Sequence, residues 1–345
     1  MKYSDDDIEQ TAGAASGGGE RAVRALIDVL PRSAELKIIP RRTRLIVKLG
    51  GRQLEVAWVG EGRLRNIHEL LSRKPLPDIV VGRRLSPGAK SVLSDVGIGW
   101  ADETGAAEIA VGSVIVSRPG RPSQPKRVNR WSPTAFCVAE VLLCGTDATV
   151  AATHAATGLS FGGCAHALRF LAEMGLLEAD AVRGRSSGRR VTDRDRLLDA
   201  YAQAADEAVQ RQISVTVGTA WQDVIEGIVE AGHAWQEAGI SWAATGTAAA
   251  AVMAPLLTDV GRAEVYVDAK TTVGLEAVAA VSELRAMPAG RLTLRPFPSK
   301  CTNTLARMHE GLRTAPWPRV YADLRRVGVR GEEAAEHLRS SLDES

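Results

Sequence analysis

The stretch that decides the reading runs from Thr149 to Glu178, TVAATHAATGLSFGGCAHALRFLAEMGLLE. Thr149 is a helix-capping residue ahead of a short alanine-rich run, and Gly158 ends that run with the residue type that best adopts the left-handed conformation of a helix terminus. Leu159-Ser160 makes a tight turn. Ser160 then caps a further helix running to about Met174, and Gly175-Leu176-Leu177 closes it into a strand. On this later helix Cys164, Ala167, Leu168 and Leu171 recur at the i, i+3, i+4, i+7 spacing of a buried face, which turns Phe161, Gly162, Gly163, His166, Arg169 and Glu173 outward. Upstream, Ser132-Pro133 starts an earlier helix carrying the apolar run Phe136, Val138, Ala139, Val141, Leu142, Leu143. Downstream, Glu178 to Thr192 sets Arg183, Arg185, Arg189 and Arg190 around Gly184, Ser186, Ser187 and Gly188, the composition of an exposed hairpin tip that can sit on phosphates.

Three helices followed by a basic hairpin, over residues 131–205, resemble the winged helix-turn-helix of bacterial regulators. The resemblance implies double-stranded DNA as the partner. The third helix would enter the major groove and read base edges with residues near its amino end, which puts Ser160, Phe161, Gly162, Gly163, His166 and Arg169 at the interface and makes Arg169 a candidate for bidentate contact with a guanine. The glycine pair offers no side chain to read with and suggests close approach of the backbone. A winged helix serving protein contact alone is the competing reading, against which the arginines of the wing argue.

The chain carries 43 basic and 41 acidic residues, a formal net charge of +2, so any positive surface for nucleic acid must be local. It is concentrated in SRPGRPSQPKRVNR, where Arg118, Arg121, Lys126, Arg127 and Arg130 occur with no acid among them in a Pro-, Gly- and Ser-rich connection. Lys126, Arg127 and Arg130 join the wing arginines as candidate phosphate contacts. No apolar run reaches membrane-spanning length, and the start MKYSDDDIEQ is the opposite of a secretory signal, so a cytoplasmic protein is expected. Cys137, Cys144, Cys164 and Cys301 lack the close pairing that zinc requires and read as small core residues.

Five parts are expected: a disordered tail over 1–20, an α/β domain over 21–117, the basic linker 118–130, the winged helix 131–205 and a carboxy-terminal α/β domain over 206–345. In the first domain, Leu45 to Leu49 and Leu54 to Val59 around Gly50-Gly51 form a hairpin signal. A helix from about Arg63 to Ser72, a buried strand at Asp78 to Val81, a helix opened by Ser86-Pro87, a strand at Ile98 to Ala101 and a strand pair around Ala107 to Ser117 follow. In the last domain, a long helix from Trp221 to Ala238, an alanine-rich helix after Thr245-Gly246-Thr247, and strands at Glu264 to Val267 and Leu292 to Phe297 are expected.

The phrase PDIVVGRRLSPGAKSVLSDVGIGWADETGAAEIAVGSVIVSRPG resembles the domain that precedes the winged helix in regulators of the AbiEi type, the antitoxins of type IV toxin–antitoxin systems. SWAATGTAAAAVMAPLL, AEVYVDA and WPRVYADLRRVGVRGEEAAEHL fall in the order of that family's carboxy-terminal domain. The resemblance implies control of transcription by promoter binding, often of the protein's own operon, with the toxin neutralised without a direct complex. The amino-terminal domain is longer here than in the small AbiEi antitoxins, which leaves pairing with a toxin undecided.

The alternation of the first domain is also that of a restriction-endonuclease-like fold. Such nucleases need an Asp and a Glu-x-Lys on adjacent strands, so that two carboxylates hold Mg²⁺ and the lysine positions water. The lone candidate, Glu35-Leu36-Lys37, precedes the strands, and Glu55, Asp78 and Asp102 have no lysine at the right spacing, so this domain is expected to be inactive. There is no Gly-x-x-x-x-Gly-Lys-Ser/Thr loop and no Gly-x-Ser-x-Gly elbow. The six histidines are too dispersed to pair as metal ligands. The expectation is a non-enzymatic, cofactor-free repressor acting on its own or a neighbouring promoter, its outer domains serving dimerisation or further DNA contact. The alternatives are a nuclease built on the first domain and a DNA-bound scaffold for a partner protein.

Overall fold

The computed structural model describes residues 18–31, 34, 36–39, 45–112, 114–121, 131–179, 189–209, 212–256 and 260–343. The chain divides into two compact units, residues 1–126 and 127–345, and the class is mixed α/β, with a mixed sheet in each.

In the first unit α1 (Gly18–Val29), β1 (Lys37–Ile39), β2 (Leu45–Leu49), β3 (Arg52–Trp58), α2 (Leu64–Leu71), β4 (Ile79–Gly82), α3 (Pro87–Asp95), β5 (Gly99–Asp102), β6 (Ala106–Val111) and β7 (Val114–Pro119) follow one another. Sheet order equals chain order. β3, β4 and β5 are parallel at the centre, with antiparallel pairs on both sides. Between β2 and β3, Gly50 (φ 55°) and Gly51 (φ 81°) both lie in the left-handed region that a two-residue hairpin matched to strand twist demands. The central β4 is buried along its whole length, because a parallel strand is covered on both faces. Val47, Leu49, Ile79 and Val81 pack with α1 residues on one side, and Ile67, Val80, Leu93 and Trp100 on the other.

β7 runs through Pro119, so Arg118, expected with the linker, is a strand residue whose guanidinium donates to the Asp28 carbonyl (3.2 Å). Asp102 is fully buried at the end of β5 and accepts from the backbone N–H groups of Thr104, Ala106 and Leu85 and from the Thr104 hydroxyl. Lys90 Nζ, brought in by α3, stands 3.4 Å from its second oxygen. The fold thus does bring a lysine to Asp102, but the carboxylate is occupied in knotting two turns together. Among the described residues no group of three or more His, Cys, Asp or Glu could hold a metal ion.

The second unit begins with α4 (Pro133–Leu143), α5 (Val150–Thr157) and α6 (Phe161–Glu173), then the two-stranded antiparallel ribbon of β8 (Glu178–Ala179) and β9 (Arg189–Arg190), then α7 (Arg194–Val209). There follow β10 (Val215–Gly218), α8 (Val224–Glu237), β11 (Trp242–Thr245), α9 (Gly246–Met253), β12 (Ala263–Val267), α10 (Thr272–Val281), β13 (Arg285–Ala286), β14 (Leu292–Pro296), α11 (Lys300–Thr304), β15 (Arg307–His309), β16 (Leu312–Thr314), α12 (Trp317–Leu324) and α13 (Val329–Asp343). The sheet order is β13-β10-β14-β12-β11-β16-β15.

One continuous core joins the three-helix segment to the sheet-bearing part: Trp131, Leu168, Leu171 and Tyr201 share it with Tyr266, Val320, Tyr321 and Leu338. An aromatic cluster anchors the helices within it, Trp131 packing on Phe136, Phe170 and Tyr201 at centroid distances of 5.3, 5.9 and 6.2 Å. A second core, of Val217, Ile228, Trp235, Trp242 and Leu275, lies between α8, α10 and the sheet. Close approach fixes one glycine there: a Cβ on Gly232 of α8 would stand 2.1 Å from the Trp242 ring.

Cys137 of α4 and Cys301 of α11, both buried, form a disulfide. This departs from the expectation of unpaired core cysteines. The pairing partners are 164 residues apart, a separation over which spacing carries no signal. Cys164 is buried and unbonded, and Cys144 is exposed. Among the described residues no helix is long and apolar enough to cross a membrane.

Candidate nucleic-acid interface

The surface of interest is built by three short caps. Ser132, Thr149 and Ser160 each stand in extended conformation and accept the backbone N–H of the third residue of the helix that follows, Ala135, Ala152 and Gly163 respectively, at 3.1 Å in all three. This satisfies orphaned amides at each helix start and sets the angle at which the chain enters. Gly158 ends α5 with φ 63°, and Leu159-Ser160 swings the chain into α6. Thr157 ties the turn, accepting the Leu159 N–H through the same hydroxyl that donates to the Thr153 carbonyl.

The sides of α6 separate as its spacing predicts. Cys164, Ala167, Leu168 and Leu171 are buried, while Phe161, Gly162, His166, Arg169 and Glu173 are exposed and Gly163 is half-buried. A side chain added at Gly162 would meet open space. Neither Arg169 nor His166 bonds to a described residue, so both are available to a ligand.

Arg189 and Arg190 are described, whereas Arg183 and Arg185, expected in the hairpin tip, and Lys126, Arg127 and Arg130, expected in the linker, lie outside the described residues. Arg190 pairs across the ribbon with Glu178 (3.4 Å) while both side chains stay more than half exposed. Such a pair is worth little in water, so the guanidinium can be exchanged to a phosphate at small cost. Arg189 is half-buried, and its N–H donates to the Ala148 carbonyl beside the α5 cap. Ribbon and helix are thus joined through the backbone.

A sheet-side contribution was not legible in the sequence. Lys300 opens α11 and is exposed, its ammonium 3.7 Å from where a Gly158 Cβ would stand. What holds α11 there is the Cys137–Cys301 bond together with a buried polar knot on Glu140. The Glu140 carboxylate, fully buried in α4, accepts from the hydroxyls of Tyr201 (2.6 Å), Thr302 (2.9 Å) and Ser299 (3.2 Å). Burial pushes its carboxyl above the ordinary Glu value, against the pull of those donors and of Arg319. Glu140 sits in a run otherwise apolar and gives no sequence sign of its partners, which come from 61 and some 160 positions away.

A further charged cluster is buried in the sheet-bearing part. Arg319 donates to both oxygens of Asp323 (2.7 and 3.1 Å) and to the Tyr266 hydroxyl (2.8 Å). Thr245 and Tyr266 donate to Asp323 Oδ2 (2.7 Å each), and Arg326 adds an ion pair at 3.0 Å. Burial alone would raise the Asp323 carboxyl, but the Arg319 and Arg326 guanidiniums outweigh it and hold the group below the usual carboxylate range. Thr245, Tyr266 and the Arg319–Asp323–Arg326 set come from three separate sequence phrases, SWAATGT, AEVYVDA and WPRVYADLRR, which the fold brings to one point.

Those phrases lie in the part of the chain that has recognisable relatives. Residues 190–343 match a family of transcriptional regulators. It is described as the AbiEi antitoxin of type IV toxin–antitoxin systems, a transcriptional regulator, and over these residues the chain is similar to that family. The match opens at Arg190, so α6 and the stretch from Pro77 to Gly120 lie outside it. No curated protein and no solved structure matches the chain.

Proposed function

We propose that the protein is a DNA-binding transcription regulator whose residues 131–205 act as a winged helix. The observation that carries this reading is the exposed side of α6. Behind a serine cap and a glycine pair it offers His166 and Arg169 without a described partner, while its opposite side is locked into the core. The similarity of residues 190–343 to a family of transcriptional regulators supports the same conclusion.

In this reading α6 enters the major groove. Arg169 and His166 meet base edges, and Ser160, Phe161, Gly162 and Gly163 allow the helix end to approach closely. Arg189 and Arg190, with Arg183 and Arg185 of the tip, Lys126, Arg127 and Arg130 of the linker, and Lys300 beside the turn, hold phosphates and fix the register. Occupancy of a promoter, its own or a neighbour's, would repress it. The divisions 131–205 and 206–345 then describe a DNA-facing and a sheet-bearing part of one unit, and the amino-terminal α/β unit would serve dimerisation or further DNA contact.

The test is binding to the duplex upstream of the protein's own gene against a scrambled duplex of equal length, titrated over salt. Tighter binding to the upstream duplex is expected. The log–log salt slope should become shallower by about 0.9 for each phosphate-bound arginine removed among Arg183, Arg185, Arg189 and Arg190. No binding to either duplex, or a slope indifferent to all four, would contradict the reading.

A further inference from the structure

Phe161 occupies the first turn of α6 with 57% of its surface exposed. An aromatic ring left this open forgoes about half of the hydrophobic stabilisation that full burial would contribute. Yet the ring is not loose. It stacks on His154 of α5, centroids 3.9 Å apart and planes inclined by only 22°.

His154 is itself held: its Nδ1 lies 2.6 Å from the Leu159 carbonyl oxygen. A carbonyl can only accept, so Nδ1 carries the proton and donates it. The imidazole plane is thereby tied to the turn between the two helices, and it forms a half-buried platform under the phenyl ring. Next along the helix come Gly162, with open space where a side chain would be, and Gly163, whose N–H is taken by Ser160. The phenyl ring therefore projects from the amino end of α6 with one face on His154 and no side chain at the next two positions along the helix.

We infer that Phe161, positioned by His154, contacts the C5-methyl group of a thymine and gives the protein a sequence preference beyond any hydrogen bond from Arg169. This rests on the DNA-reading assignment of α6. In the major groove the thymine methyl is the one apolar feature of a base-pair edge, and apolar side chains recognise it by contact. A phenyl ring cannot accept or donate a conventional hydrogen bond to the other groups there. Its place at the amino end of the helix, whose residues contact base edges in this docking mode, and the absence of side chains at Gly162 and Gly163 suit a methyl contact.

The probe is a duplex enriched from a random pool by the wild-type protein, resynthesised with each thymine replaced in turn by deoxyuridine, which removes only the methyl. At one or two positions the wild type should bind the uridine duplex about fourfold more weakly, the worth of one buried methyl. Phe161→Ala should bind the thymine and uridine duplexes equally at those positions. His154→Ala should lower the same ratio, and Arg169→Ala should retain it. Thermal melting verifies that each variant is folded, and Phe161 is exposed enough for its replacement to leave the fold intact. A wild type with no methyl-sensitive position, or a ratio left intact in Phe161→Ala or His154→Ala, overturns the inference while leaving DNA binding standing. Failure of the wild type to enrich any duplex would remove the DNA-reading assignment and the inference with it.

Discussion

Arg169 and Arg319 are both helical arginines in the same unit, and the chain treats them in opposite ways. Arg319 is 1% exposed and spends its donors on Asp323 and Tyr266. Arg169 stands on the exposed side of α6 with no partner among the described residues. The buried cluster is where three family-like phrases converge, within the region that the regulator family model covers, and at its centre Arg319 and Asp323 are paired and 1% exposed. The exposed helix side lies outside that match. The matched part of the sequence thus includes the buried cluster, and the side of α6 proposed to read DNA lies outside it. A surface that discriminates among ligands needs groups left open to them, whereas most polar groups in a core are paired.

The sharpest way to break this contrast is to remove one side of the buried pair. Asp323→Asn leaves the Arg319 charge buried without its counter-ion, and a loss of about 3–5 kcal/mol in folding stability is expected by denaturant unfolding. Arg169→Ala should stay within about 0.5 kcal/mol of the parent in the same experiment. Equal losses would mean that α6 is as structural as α12.

The Glu140 knot gives a smaller, pH-dependent effect of opposite sign to that of Asp323. Its folded carboxyl titrates above its unfolded value, so the native state keeps the proton longer. The stability it contributes is fully present below the unfolded pKa of about 4.3 and is lost as pH rises through the folded value, at about 1.4 kcal/mol per unit of separation. Asp323 behaves conversely, its contribution disappearing as pH falls through its depressed folded value. Glu140→Gln cannot titrate. Its stability relative to the parent, followed by unfolding from pH 4 upward, should shift progressively in favour of the glutamine variant, and a pH-independent difference would show that Glu140 is not held protonated by burial.

Much of this was legible because local signals agreed with the fold. Ser132, Thr149, Ser160 and Gly158 bound the three helices where capping chemistry places them, and the i, i+3, i+4, i+7 set of α6 is the set that is buried. Gly50-Gly51 marked the β2–β3 hairpin, and the buried central strand of the first unit was visible at Asp78 to Val81. The hidden features are those made by long-range closure. The Cys137–Cys301 bond, the Ser299 and Thr302 hydroxyls on Glu140 and the approach of Lys300 to Gly158 depend on a segment more than 140 residues downstream folding back onto α4 and α5. No periodicity records such a return. The short strands β13, β15 and β16, two or three residues each, are too brief for alternation to show.

The central claim, that the exposed side of α6 reads sequence while the rest of the unit holds it in place, is tested most directly by the affinity of Arg169→Ala for an enriched duplex and for random duplex of the same length and salt. A loss of about 1–3 kcal/mol on the enriched duplex and much less on the random one is expected, because a base contact is removed while phosphate contacts remain. Equal weakening of both, with the protein folded, would make Arg169 a phosphate contact and contradict the assignment of the reading face.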